Sequence, residues 1–186
     1  MNIRNKILNI SVILLLFAFI NVFNDSLHSA VLFNSWGLSK ETVIKKHITP
    51  GEETVTFTPS KNPDYENKIM NMVKLIVKNV DSDADKDIEI ISTKTTPRKD
   101  FLLFKNKLFS VLELYNSISK DELKSVIKKL SGQYGEPNYN PGSEMDIYFI
   151  SNKETKIIVH YYIKSKKCEI YFYDSHLYHK LSSNEF

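Results

Sequence analysis

The sequence predicts an α+β domain, with helices packed on one face of an antiparallel sheet built from a hairpin and a C-terminal three-strand meander. Three observations predict it. Stretches with apolar residues at helical spacing follow capping residues. Several short runs alternate apolar and polar residues with a period of two. The last three of these runs follow one another with only turn residues between them. A chain of 186 residues with 42% hydrophobic content is long enough for one core.

The N-terminus reads as a leader. Arg4 and Lys6 precede an uncharged run from Ile7 to Phe23, and NDSLHSA follows with polar and small residues. This is the charged-then-apolar layout of a secretory signal over residues 1–30, with cleavage expected after Ser29 or Ala30. The alternative is an uncleaved anchor through residues 7–23, although that run is short for a bilayer and broken by Asn9, Ser11 and Asn21. The expected compartment is therefore periplasmic or secreted, or the inner membrane if the leader stays. Residues 31–175 form the expected domain and 176–186 a polar tail.

Elements of the domain follow in order. In FNSWGLSKETVIKKH, Gly37 allows a sharp turn, Ser39 occupies the N-cap position, and Glu41 sits in the first turn. Val43 and Ile44 should face a core, Trp36 should fold back as an apolar plug, and Pro50-Gly51 ends the helix. TVTFT (54–58) alternates like a strand. In DYENKIMNMVKLIVKNV (64–80), Ile69, Met72, Val73, Ile76 and Val80 make one helical stripe.

The acidic run DSDADKD (81–87) has Asp81, Asp83 and Asp85 at alternate positions, as a calcium loop would. Lys86 stands where that loop needs glycine and Ser92 where it needs a bidentate glutamate, so a solvated turn is expected instead. DIEIIST (87–93) reads as a strand, and FLLFKNKLFSVLELY (101–115) as a hairpin with its tip at Asn106-Lys107. Ser119-x-x-Glu122 is a capping box, and Leu123, Val126, Ile127 and Leu130 form the stripe of its helix. Gly132, Gly135 and Pro137 should stop it. MDIYFIS (145–151), KIIVHYYI (156–163) and CEIYFYD (168–174) complete the meander. LSKETVIKK near residue 38 and ISKDELKSVIKK near 118 echo one another, hinting at two halves, about 31–116 and 117–175.

Trp36-Gly37-x-Ser39 at the helix start and Tyr134-Gly135-x-Pro137 at the helix end resemble motifs of small exported bacterial proteins of unknown function. The hairpin Phe104-Lys105-Asn106-Lys107-Leu108-Phe109 lies between them. The layout is similar to the α+β arrangement shared by the β-lactamase-inhibitor protein and the BamE-type outer-membrane assembly component. This resemblance implies a non-enzymatic domain that binds other proteins in the cell envelope. The chain departs from it in a longer, more acidic 59–86 region and in having no lipobox cysteine, since Cys168 is the sole cysteine.

Chemistry is sparse in the sequence. One cysteine excludes an internal disulfide, and its place in CEIYFYD suggests a small buried hydrophobe. His176-x-x-His179 could share a helical face, with His160 approaching from the sheet, but no acidic partner accompanies them at a metalloprotease spacing. No metal, cofactor or catalytic set is assigned. A net charge of +3 spread along the chain points away from nucleic acid. Alternation sends Ile157, Val159, Tyr161 and Ile163 to one sheet face, with Ile147, Phe149, Ile170 and Phe172. Ile158, His160 and Tyr162 go to the other, with Tyr148, Ile150, Tyr171 and Tyr173. The first face should take the 119–134 helix. The second is a tyrosine-rich surface, and Tyr148, Tyr162, Tyr171, Tyr173 and His160 are its candidate binding residues for an envelope protein. The alternatives are ordinary strand tyrosines on a half-solvated sheet, a face covered by the 64–80 helix, a glycan or small-ligand site, or a hydrolase with an unrecognised site.

Overall fold

The structure is a computed structural model and describes residues 35–58 and 88–176. Helix α1 (Lys40–His47) leads to strands β1 (Thr54–Phe57), β2 (Ile88–Thr93), β3 (Arg98–Phe104) and β4 (Lys107–Tyr115). Helix α2 (Lys120–Tyr134) leads to β5 (Asn138–Asn140), β6 (Met145–Ser151), β7 (Thr155–Tyr162) and β8 (Lys167–Asp174). All eight strands form one sheet in the order β1-β2-β3-β4-β8-β7-β6-β5, every pair antiparallel. Among the described residues a helix followed by four strands in sequence order thus occurs twice, and the last strand of each set, β4 and β8, joins them.

This corrects the expected α+β class. Of the described residues 46% lie in strands and 22% in helices, so the protein is closer to all-β, with one continuous sheet in place of a hairpin and a separate meander. The join is Ser110–Tyr115 against Cys168–Tyr173, a pairing between segments far apart in the chain that no local pattern announces. The 64–80 helix expected from the sequence and the 81–87 acidic run lie outside the described residues, as does the leader.

Both described helices lie on one face, here called the helical face. In α2, Leu123, Ile127, Leu130 and Tyr134 are buried, and the Tyr134 ring meets the edge of Phe172 at 6.5 Å. Each of the three aliphatic side chains contributes roughly 1.5–3 kcal/mol on burial. The capping box closes with Glu122 N–H donating to Ser119 Oγ at 3.2 Å and Ser119 N–H to Glu122 Oε2 at 2.8 Å. Gly132 does not stop the helix. It ends at Gly135, whose φ of 109° suits glycine and whose N–H donates to the Ser131 carbonyl.

Helix α1 is short and buries Val43 alone, whereas Ile44, expected in the core, is 40% exposed. The Ser39 hydroxyl meets Thr42 Oγ1 and makes no cap bond. The segment before α1 is pinned to the sheet: Gly37 N–H donates to the Leu108 carbonyl, and Leu108 N–H to that of Leu38. These bonds fall beside the irregularity between Leu102 and Leu103 in the β3–β4 register. Trp36 is half-buried rather than a purely apolar plug, because its indole N–H donates to Thr155 Oγ1 at 2.9 Å.

Two turns refine the expected register. The β3–β4 tip is Lys105-Asn106, one residue earlier than expected, and both residues take positive φ, 48° and 62°. In β6–β7, Asn152 N–H pairs with the Thr155 carbonyl, leaving Lys153-Glu154 as the tip. Ile150 then faces Ile157 and Phe149 faces Ile158. Consequently Tyr148 and Ile150 belong to the helical face and Ile147 and Phe149 to the far one, the reverse of the expected assignment for this strand. Among the described residues no helix is long and apolar enough to cross a membrane.

Candidate functional site

Period-two alternation on β8 and β7 places Glu169, Tyr171 and Tyr173 on the far face with Ile158, His160 and Tyr162. His160 sits directly opposite Glu169, and Tyr171 opposite Ile158 on one side and Leu112 on the other. The Tyr171 hydroxyl donates to Glu169 Oε2 at 2.5 Å, and the Tyr162 hydroxyl to the same oxygen at 3.3 Å. The His160 ring meets Tyr171 edge-on at 5.3 Å, and Tyr171 stacks with Tyr173 at 6.3 Å. Three of the five residues singled out from the sequence, His160, Tyr162 and Tyr171, therefore surround one carboxylate, and Tyr173 joins them through its stack on Tyr171. The fifth, Tyr148, is on the helical face, stacked on Tyr139 at 4.7 Å.

Accessibility divides the cluster. Tyr171 and Tyr173 are each 6% exposed and belong to a core with Ile88, Ile90, Leu102, Phe109 and Leu112. They are not the open surface the alternation suggested. His160 and Tyr162 are half-buried, beside half-buried Ile147 and Ile158. Phe149 is 44% exposed on the same face. The β6–β7 part of the far face is thus an accessible apolar and aromatic patch bordered by the Glu169 cluster.

Electrostatics make these groups structural in character. Burial, then Glu169, pushes the Tyr162 hydroxyl up to about 12 and raises that of Tyr171 as well. The Cys168 thiol is pushed up to about 12 by burial and lies on the helical face, fully buried, which leaves it protonated at neutral pH. Two further carboxyls are buried. Burial raises Glu113 on the helical face, opposed by Lys99 across the strand pair and by the Tyr115 hydroxyl. Asp100 on the far face is pushed up to about 8 by burial, with Arg98 Nη2 3.2 Å from its Oδ2.

A cavity of about 170 Å³ opens at the ends of β4 and β8, with Arg98, Lys167 and Glu169 in its wall. His47 stacks on Phe101 on the helical face, remote in register from His160. His179 lies outside the described residues, and among those described no group of three metal-ligating side chains comes together.

Sequence reasoning missed Glu169 and Phe149. Glu169 was readable, since a carboxylate two residues before Tyr171 on one strand must share its face. Phe149 was readable too, since any two-residue β6–β7 tip pairs the odd-numbered positions of β6 with the even-numbered positions of β7. The chain matches no protein-family model, no curated protein and no solved structure.

Proposed function

We propose that this chain is an exported cell-envelope protein that acts by binding another protein, and that the β6–β7 part of the far face makes the contact. The observation carrying the reading is Phe149, 44% exposed opposite Ile158, on a patch that continues through Ile147 and His160 to Tyr162. Tyrosine and phenylalanine give large contact area for little entropy loss, which suits a binding face. The charged, then apolar N-terminal run supports export. The motifs around Trp36 and Tyr134 that resemble small exported bacterial proteins support an envelope role.

Capture from an envelope extract tests the reading. The untouched chain should retain a partner that a Phe149→Ser, Tyr162→Ser double variant loses, both proteins being folded by near-UV circular dichroism. Equal retention of the same proteins by both contradicts it. A second reading, a glycan stacked on an aromatic platform, is favoured by the Tyr139 ring, 48% exposed and stacked on Tyr148 with its hydroxyl on Asp146 at 3.1 Å. Loss of binding to an oligosaccharide array on Tyr139→Ser alone would select it.

A further inference from the structure

The cavity at the ends of β4 and β8 holds about 170 Å³, and every residue of its wall lies within the described part of the chain. A space of about 150 Å³ takes a benzene-sized molecule. The position of the cavity follows from strand register. Arg98 faces Leu114 across β3–β4 and Leu114 faces Glu169 across β4–β8, so the three form one row on the far face. Lys167, two residues before Glu169 on β8, shares that face. Beyond Tyr115 the chain leaves the sheet, with the Ile118 N–H donating to the Lys166 carbonyl, and Asn116 completes the wall at that end.

The wall carries two cations and one carboxylate. Arg98 comes from β3 and Lys167 from β8, with the half-buried Leu114 on the strand between them. Lys167 is exposed and, among the described residues, makes no ion pair. Arg98 meets Asp100 through Nη2, but burial pushes that carboxyl up to about 8, so the guanidinium charge is not cancelled there at neutral pH. Glu169 is already engaged: its Oε2 accepts from the Tyr171 and Tyr162 hydroxyls, which hold the carboxylate to one side. A ligand with one negative charge gains from both cations, whereas a second negative charge would meet Glu169. Leu114 adds an apolar surface for the rest of the molecule.

We propose that this cavity is a binding site for a small organic monocarboxylate about one ring in size, its carboxylate held between Arg98 and Lys167 and its apolar body on Leu114. The site abuts the Phe149 patch at Tyr162, which stands opposite Lys167, but does not rest on the protein-binding reading.

Titration of the full chain with benzoate at pH 7 and constant ionic strength, followed through the amide resonances in NMR, tests the assignment. The amides of Asn116, Lys167 and Glu169 should shift and saturate. Lys167→Gln should weaken binding about tenfold, as loss of one charge-assisted hydrogen bond would. Lys153→Gln removes an exposed lysine near the β6–β7 tip and should leave binding unchanged. The same spectra report that both variants stay folded. Benzyl alcohol, with the ring and no charge, and phthalate, with the ring and two charges, should each bind about tenfold more weakly than benzoate. Shifts that do not saturate, or that centre on other residues, overturn the proposal. So does equal weakening by the two lysine variants, or binding of benzyl alcohol or phthalate as tight as that of benzoate.

Discussion

Tyr171 donates its hydroxyl to Glu169 Oε2 at 2.5 Å, two residues back along the same strand, and both side chains are nearly sealed from water. A carboxylate in such a place is tolerable because hydroxyls converge on it. The link ties the buried part of the far face to its open part, where Tyr162 reaches the same oxygen from the neighbouring strand.

Tyr171→Phe should therefore destabilise the protein by about 1–3 kcal/mol, the cost of weakening a buried carboxylate's hydrogen bonding. Tyr162→Phe should cost less, because that half-buried hydroxyl makes the longer bond and water can replace it. Urea unfolding monitored by circular dichroism separates the two. Equal losses would mean that the Tyr171 hydroxyl matters no more to Glu169 than that of Tyr162.

The two helix starts look alike in sequence and differ in hydrogen bonding. Ser119→Ala should cost about 0.5–2 kcal/mol, since it removes the reciprocal cap with Glu122. Ser39→Ala should cost much less, because the Ser39 side chain makes no cap bond. Thermal melts of the two variants, run in parallel, give the comparison directly.

Asp100 makes stability depend on pH. Its carboxyl titrates near 3.8 when unperturbed and is raised to about 8 by burial, so between those values the folded chain holds a proton that the unfolded chain has released. Stability from this group accordingly falls as pH rises through that window. Asp100→Asn should flatten the decline and leave the variant relatively more stable at pH 8 than at pH 4. Chemical denaturation at several pH values checks it, and an unchanged slope would contradict the assignment.

The locally encoded parts of this fold were legible. The Ser119–Glu122 box and the Leu123, Ile127 and Leu130 stripe are set by residues within a few positions of one another, and the alternation of β7 is unbroken. What escaped depends on distant pairing. Arg98–Asp100 lies outside the expected 101–115 hairpin and becomes strand only where β2 and β4 flank it, and Asn138–Asn140 becomes a strand only against β6. The α+β expectation failed on the β4–β8 pairing that fuses two sets of strands into one sheet. Within the candidate site, composition pointed to the tyrosines of β7 and β8. It did not tell which half of their face is covered, and the sides of Tyr148 and Phe149 follow from the odd-to-even pairing across a two-residue β6–β7 tip rather than from alternation within β6 alone.

Tyr148 and Phe149 are neighbours in the chain and point to opposite faces of the sheet, which makes them the most direct probe of the binding face. A photo-cross-linking residue would be placed at each position in turn, in the full-length protein expressed in its own cells. The account predicts an adduct with a partner protein from position 149 and none from position 148. Adducts from 148 alone, or equally from both, would contradict the far face as the site of contact.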